Sequence, residues 1–240
     1  IESMDNKTFS RQIKNQKKHW WFQARKKIID QIISSINLKK KNNILDFGTG
    51  SGVNLDMLRK HGLVDIHEQN KYARAHIKKE RKIKNLYSTL KIKKNFYDLI
   101  LLADVIEHVK QPKQLLKNLK KFLKKDGRIL ITVPAYQFLF SKKDEVLGHY
   151  RRYNKELLKK ELSGFKVENI SYFNTFLCIP IIIMTLLNKF LKKDYIKQAE
   201  TTPNFILNKL YYIIFSSEKY FIKYFNLPIG ISIYVLAKND

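Results

Sequence analysis

The sequence predicts an α/β protein built on a seven-stranded, mostly parallel sheet with an antiparallel strand at its edge. Two observations lead to this class. Over the first 150 residues, short apolar runs alternate with lysine-rich helical patterns, as expected when helices join parallel strands. The first apolar run ends in three glycines within residues 48–52, which is typical of a turn between a strand and a helix.

The individual elements follow from these runs. A helical segment is predicted at 11–38, and the strands NILDFG, LVDIHE and KNLYS are predicted at 43–48, 63–68 and 84–88. YDLILLAD and GRILITVP give strands four and five at 97–104 and 127–134. The helices between the strands are predicted at 53–61, 71–82 and 112–125. A further helix at 154–162 precedes two strands at 165–173 and 229–238, which would pair as a hairpin.

A long insertion interrupts that hairpin. More than 50 residues separate its strands, whereas hairpin connections usually have about 2–5 residues. Segment 173–228 is dense in Ile, Leu, Phe and Tyr and predicts helices. We therefore divide the chain into an N-terminal helical cap at 1–40, a core at 41–172, the insertion at 173–228 and a final core strand at 229–240.

Composition narrows the functional class. The net charge of +26 would suit nucleic acid or anionic lipid, but the basic residues are spread over most helices, so nucleic-acid binding is not expected. The single cysteine, Cys178, excludes a disulfide framework and a metal site built on cysteines. The start of the sequence lacks a secretory pattern, which predicts a cytoplasmic protein.

The glycine turn indicates a nucleotide-like cofactor, because glycines allow backbone N–H groups to approach a ligand closely. The spacing of Gly48, Gly50 and Gly52 is G-x-G-x-G, and Val53 occupies the place of the third glycine of a dinucleotide motif. No Lys-Ser/Thr pair follows, so a phosphate-binding P-loop is excluded. Asp46 would repel a pyrophosphate and attract a cationic ligand.

These residues resemble the motifs of class I S-adenosylmethionine-dependent methyltransferases. LDFGTGSG resembles the family's first motif, YDLILLADVIEHV its fourth-strand motif and DGRILITVP its fifth. The resemblance implies a Rossmann-like fold, S-adenosyl-L-methionine as cofactor and no metal. It assigns the ribose hydroxyls to Glu68, and it implies the following cofactor-binding residues: Asp46, Gly48, Thr49, Gly50, Gly52, Glu68, Thr89, Leu90, Asp104 and Arg25.

Two other stretches, HWWFQARKKII and KDEVLGHYRRYNKELL, resemble a bacterial subgroup of these enzymes that is associated with cell-envelope and glycan genes. Lys143 stands where the subgroup has a histidine, which argues against a catalytic role there. Arg25, one turn beyond an aromatic cluster, is predicted to meet the methionine carboxylate of the cofactor.

Methyl transfer needs alignment of donor and acceptor, and an O or N acceptor also needs a base. Histidine is the natural base at neutral pH, and the two candidates are His149 and His108, of which we prefer His149. His108 could instead orient its loop. The acceptor is predicted to meet Tyr150, Arg151, Arg152 and Tyr153, although either arginine could instead form an ion pair with Asp144 or Glu145.

The apolar stretches of the insertion are too short to span a membrane. We therefore expect segment 173–228 to contact the surface of the membrane at its inner face. Packing on the sheet or a dimer interface is the alternative. The predicted function is methyl transfer to a small-molecule, glycan or lipid-linked acceptor. The alternatives are an RNA or protein methyltransferase, which ADVIEH in place of an (N/D)-P-P-(Y/F) motif argues against, and a non-catalytic adaptor. The sequence leaves the oligomeric state open.

Overall fold

The computed structural model describes residues 13, 16–36, 38, 42–80, 83, 85–190 and 202–240. The strands are β1 (Asn43–Phe47), β2 (Leu63–His67), β3 (Leu86–Tyr87), β4 (Tyr97–Ala103), β5 (Leu123–Pro134), β6 (Lys166–Phe173) and β7 (Ser232–Lys238). The helices are α1 (Trp20–Ser35), α2 (Leu55–Leu58), α3 (Lys71–Glu80), α4 (Pro112–Lys120), α5 (Lys142–Val146), α6 (Lys155–Glu161), α7 (Cys178–Phe190), α8 (Phe205–Ser217) and α9 (Lys219–Ile222). Short 3-10 turns cover Ile106–His108 and Gln137–Leu139.

The seven strands form one sheet in the order β3-β2-β1-β4-β5-β7-β6. The contacts of β1 with β2 and β4, of β2 with β3 and of β4 with β5 are parallel, whereas β7 is antiparallel to both of its neighbours. This confirms the predicted fold class. The reversed strand, β7, lies one position inside the edge, between β5 and β6, and the loops after β1, β2, β4 and β5 share one end of the sheet.

Most element boundaries lie within a few residues of the prediction, and the helix after β4 differs most. It was expected to reach Lys125 but ends at Lys120. The carbonyls of Lys121 and Phe122 accept hydrogen bonds from Asn95 and Phe96 at 3.0 and 2.9 Å. Backbone groups used in this way cannot continue a helix, so β5 begins at Leu123. The predicted first helix, 11–38, lies partly outside the described residues, and α1 accounts for its central part.

Helices cover both faces of the sheet. On one face, Leu116 and Leu119 of α4 and Leu158 of α6 pack in a buried cluster with β4 and β5. On the other face, α1 packs Ala24 and Ile28 against β1 and β4. The apolar residues of α1 recur every three or four positions, so one stripe of the helix is buried.

The insertion is attached to this second face. Trp20 of α1 packs edge-on against Tyr211 and Phe215 of α8, with ring centroids 5.5 and 6.0 Å apart. The Asn208 side chain accepts a hydrogen bond from the Trp20 N–H at 2.9 Å and donates one to the Lys18 carbonyl at 2.9 Å. Packing of the insertion on the core, one of the two sequence-based alternatives, therefore applies to α8. Among the described helices, none is long and apolar enough to span a bilayer.

Candidate active site

The three glycines after β1 adopt a backbone that other residues rarely adopt. Gly48, Gly50 and Gly52 have φ angles of +70°, +59° and +74°. A Cβ on Gly48 would lie 2.8 Å from a methyl of Val105, and one on Gly52 would lie 2.8 Å from a methyl of Leu55. A Cβ on Gly50 would meet no atom of the protein within 4 Å. The turn therefore packs tightly at its two ends and leaves space over Gly50 for a ligand to approach the backbone.

Asp46 and Thr49 anchor the start of the turn. Asp46 is buried and accepts a hydrogen bond from the Thr49 hydroxyl at 2.5 Å. Burial, helped by the nearby Glu68 carboxylate, raises the pKa of Asp46 to about 6, against the opposing effects of the Thr49 hydrogen bond and Arg25. Ionised Asp46 is thus stabilised by positive charge brought close to it.

Glu68, directly after β2, links the glycine turn to the next loop. One carboxylate oxygen accepts the Gly50 N–H at 2.8 Å, and the other accepts the Asn70 N–H at 2.8 Å. Burial raises the pKa of Glu68, and these two hydrogen bonds oppose that shift. Each oxygen retains a lone pair, so the carboxylate can still accept hydrogen bonds from a pair of hydroxyls.

Arg25 reaches the same end of the sheet from α1. Its guanidinium donates to the Asp104 carboxylate and lies 4.6 Å from the centre of the Trp21 ring. Asp104, at a φ of +56°, also accepts the Thr132 hydroxyl at 3.0 Å. Burial lowers the pKa of Arg25 to about 10, while Glu107 and Asp46 oppose the shift, so it remains a cation at neutral pH.

This arrangement fits the predicted sulfonium nucleoside. Asp46 lies near the end of β1, and Glu68 and Asp104 follow β2 and β4, so the three carboxylates lie at one end of the sheet, where Glu68 contacts the Gly50 N–H. Carboxylates favour a cation and can bind ribose hydroxyls. Thr89 and Leu90 lie in the exposed loop after β3.

A second polar cluster follows β5. Asp144 is buried and accepts a hydrogen bond from Nδ1 of His149 at 2.8 Å. The guanidinium of Arg152 donates to both Asp144 oxygens, each at 2.9 Å, and the Ser141 N–H donates to the same carboxylate at 2.9 Å. Burial alone would raise the pKa of Asp144, but the hydrogen bonds from His149 and Arg152 hold it well below its usual range.

His108 and Glu107 face this cluster from the turn after β4. The rings of His108 and His149 are nearly perpendicular, with centroids 4.6 Å apart. Burial and the nearby His149 lower the pKa of His108 to about 4, so it is neutral at pH 7. Glu107 is fully buried, and burial raises its pKa to about 8 against the opposing charge of Arg25. Glu107 therefore interacts electrostatically with Arg25 and also with Asp144 and Arg152 of the second cluster.

The remaining acceptor-site residues differ in position. Arg152 forms an ion pair with Asp144, which was one of the two sequence-based alternatives, whereas Arg151 donates to the Lys110 carbonyl at 3.1 Å. Tyr153 is fully buried beneath the loop. Tyr150 is half-buried, and its N–H donates to the Glu107 carbonyl at 2.8 Å, which joins the loops after β4 and β5.

Asp144 and Glu107 were not among the site residues predicted from the sequence. A signal for Asp144 was present, since Ser141 and Asp144 form a capping box at the start of α5 and so fix the carboxylate close to the following histidine. Glu107 carried no comparable signal, because its complete burial depends on tertiary packing.

Comparisons with known proteins give the family and the fold of the chain. Residues 18–176 match the methyltransferase domain family. A ubiquinone biosynthesis O-methyltransferase from Rickettsia canadensis is 34% identical over 113 residues, which cover 44% of this chain and 48% of that protein. A SAM-dependent methyltransferase from Archaeoglobus fulgidus superposes with a TM-score of 0.55 at 17% identity, covering 89% of this chain and 94% of that one.

A proposed methyltransferase from Bacillus halodurans has a TM-score of 0.57 at 18% identity, over 88% of this chain and 98% of that chain. At these identities the two solved structures show the fold. The matches concern the family as a whole, so the bacterial subgroup with the HWWF and GHYRRY motifs stays a prediction.

Proposed function

We propose that this chain, which belongs to the S-adenosylmethionine-dependent methyltransferases, methylates an oxygen or nitrogen atom of a small or lipid-linked acceptor at a membrane surface. The observation that carries the proposal is the Asp144–His149 pair. It places an oriented imidazole on the loop after β5, at the same end of the sheet as the glycine turn.

The cofactor supplies an electrophilic methyl group on a positively charged sulfur. We propose that Glu68 binds the ribose hydroxyls of the cofactor and that the cofactor approaches the backbone at Gly50. Asp46 and Asp104 would interact with the positive charge of the sulfonium. Arg25, held by Asp104, is assigned to the cofactor carboxylate, since a guanidinium fork matches that group. The stack of Arg25 on Trp21 covers this region from α1 and limits access of water.

His149 is assigned as the base. The hydrogen bond of its Nδ1 to Asp144 places the proton on that nitrogen and leaves Nε2 with a lone pair. Nε2 would then take the proton of the acceptor atom as that atom bonds to the methyl carbon and the carbon–sulfur bond breaks, and Asp144 would stabilise the resulting imidazolium. His108, neutral and beside His149, is the second candidate for this step.

The acceptor region continues into an apolar surface. Lys189 of α7 donates to the carbonyl of Phe138, in the turn that follows β5, at 2.7 Å. Helix α7 therefore begins an exposed surface beside the acceptor loop. The following residues of α7 are more than half exposed: Ile179, Ile183, Met184, Leu187 and Phe190. Phe205, Ile206 and Ile213 of α8 are also more than half exposed.

An exposed apolar surface of this size favours a binding partner. Lysines of α7, α8 and the segment after it, among them Lys189, Lys209, Lys219 and Lys223, accompany this surface, and the chain carries a net charge of +26. Apolar bulk with basic residues suits the headgroup region of an anionic bilayer. We therefore propose that segment 173–228 acts as a docking insertion on the core and that the acceptor has a lipid or isoprenoid part.

A similar protein supports the acceptor class. The Rickettsia canadensis protein is named for O-methylation in ubiquinone biosynthesis, which favours oxygen as the methylated atom and a small molecule as acceptor. The match spans about half of that protein, so the acceptor remains a proposal for this chain.

The test is transfer of label from methyl-labelled S-adenosylmethionine to fractionated extract. We expect label in the lipid fraction, and His149→Asn should lower kcat at least about tenfold with little change in cofactor affinity, since a positioned base contributes about 10²–10⁴-fold. His76→Asn, on α3, is the control. Label found mainly in RNA or protein would contradict the proposed acceptor class, and an unaffected His149→Asn enzyme would contradict the base.

Membrane docking is tested by sedimentation with vesicles. The wild-type protein should sediment with phosphatidylglycerol vesicles and much less with phosphatidylcholine vesicles. Ile183→Asp and Phe190→Asp should reduce sedimentation severalfold, whereas Leu63→Asp, at an exposed apolar residue on β2, should not. Equal loss in all three variants would contradict docking through α7.

A further inference from the structure

Glu107, His108 and His149 form a cluster of metal-ligand type. One donor atom of each residue lies within 4.8 Å of the donor atoms of the other two. The residues come from two loops, the turn after β4 and the segment after α5, and the Tyr150 N–H to Glu107 carbonyl hydrogen bond joins these loops at 2.8 Å. The grouping is therefore a property of the folded chain and is held in place by backbone contacts.

Glu107 supplies a second, independent observation. Glu107 is 0% exposed, and within the described part of the chain neither carboxyl oxygen has a hydrogen-bond partner on another residue. A buried carboxyl without a partner is costly, and such groups are normally hydrogen-bonded or bound to a metal ion. A cation at the cluster would satisfy Glu107.

The surroundings of His149 match those of a metal ligand. A ligating histidine typically donates its second ring N–H to a carboxylate, which fixes the ring and increases the basicity of the ligating nitrogen. Nδ1 of His149 is bonded to Asp144 at 2.8 Å, and the bidentate contact of Arg152 holds Asp144 in place. The ring orientation is thus set before any ion binds.

Two imidazoles and one carboxyl group suit a zinc-type cation in a tetrahedral site with one open position. Ligands about 2.0–2.1 Å from such an ion lie roughly 3.3 Å apart, so the side chains need to close by at most about 1.5 Å. The charged groups that face Glu107 include Arg25, Arg152 and Asp144, so the site is not strongly cationic.

We propose that Glu107, His108 and His149 bind one divalent cation of the zinc type, and that the bound ion switches off methyl transfer. Inhibition follows because the ion occupies the lone pair of His149 Nε2, which the proposed reaction needs for the acceptor proton. The inhibitory part rests on the proposed function, whereas binding of the ion does not.

Binding is measured first, without turnover. Metal-free protein is titrated with Co²⁺ while its visible absorption is followed, and with Zn²⁺ by calorimetry. We expect one ion per chain. Glu107→Gln should weaken affinity at least about tenfold, the order expected when a ligand or its support is lost. His76→Asn should bind as the wild type does. Absence of binding, or equal affinity in Glu107→Gln, would overturn the site.

Inhibition is measured second. Zn²⁺ should abolish methyl transfer by the wild-type protein, EDTA should restore it, and Glu107→Gln should require at least about tenfold more Zn²⁺ for half-inhibition, in line with its weaker binding. Faster turnover with bound Zn²⁺ would overturn the switch. A protein that binds Co²⁺ at the cluster but methylates no acceptor in any fraction would contradict the proposed function and leave the cation site intact.

Discussion

Replacing Gly50 by alanine tests whether the glycine turn is the cofactor site. Gly50 has a φ of +59°, and a Cβ there would meet no protein atom within 4 Å. The folded state therefore suffers only backbone strain, about 1–2 kcal/mol. For a chain of this size that corresponds to a fall in Tm of about 2–8 °C. The Gly50 N–H keeps its hydrogen bond to Glu68.

The same methyl group occupies the space through which a ligand approaches the backbone. We expect the Kd for S-adenosylhomocysteine, measured by calorimetry, to rise at least tenfold, or about 1.4 kcal/mol. Differential scanning fluorimetry of the unliganded protein reports the stability change separately. A large loss of affinity with a small loss of stability is the pattern that the geometry predicts.

Gly164→Ala is the matched control. Gly164 lies in the turn before β6 and has a φ of +96°, and a Cβ there would come no closer than 4.0 Å to Lys120 Nζ. This variant should show backbone strain of similar order and unchanged affinity. Our assignment of the turn fails if folded Gly50→Ala binds within twofold of the wild type, or if Gly164→Ala loses affinity equally.

Three further predictions concern charged groups. Asp144→Ala should lower the free energy of unfolding in urea by about 3–5 kcal/mol, because it breaks a buried ion pair. Asp56→Ala, which breaks an exposed ion pair, should lower it by only about 0–1 kcal/mol. Equal losses would argue against a buried network. The pKa of Glu107 is about 8 in the folded protein and about 4.3 in the unfolded chain, so the folded state favours the protonated carboxyl. The stability that Glu107 contributes is therefore fully present below about pH 4.3 and is lost as pH rises through about 8. Glu107→Gln, unfolded in EDTA, should therefore gain stability relative to the wild type between pH 5 and 8.5, and a constant difference would contradict this. Arg25→Ala should weaken cofactor binding about 10- to 150-fold, the effect of about 1.5–3 kcal/mol for a charged hydrogen bond, while Arg59→Ala should not; unchanged affinity would remove Arg25 from the site.

The sheet and the glycine turn could be predicted because their signals are local. Alternating apolar runs define strands, and the G-x-G-x-G spacing beside Asp46 excludes other nucleotide motifs. Glu68 follows from the same reasoning, since it ends the next parallel strand and so lies at the same end of the sheet as the turn.

The second cluster could not be predicted in full because its chemistry depends on which partner each group takes. The sequence left open whether Arg152 would meet an acceptor or form an ion pair with Asp144 or Glu145. In the folded chain it binds Asp144, which also holds His149. The identity of the residues is visible in the sequence, but the choice between solvent, acceptor and a buried carboxylate is made by the fold. The burial of Glu107 is of the same kind, since it requires the loops after β4 and β5 to pack together.

Helix α1 explains how an insertion near the end of the chain can bear on a cofactor site built near its beginning. One stretch of the helix packs Trp20 against Tyr211 and Phe215, and a little more than one turn later the same helix presents Arg25 to Asp104. A helix is stiff over so short a distance, and packed interiors transmit displacement because they contain few voids. Trp20 and Arg25 therefore link α8 directly to the cation that we assign to the cofactor carboxylate. On the proposed function, the docking insertion and the proposed site of the cofactor carboxylate therefore contact the same helix, which suits an enzyme whose acceptor arrives from the bilayer.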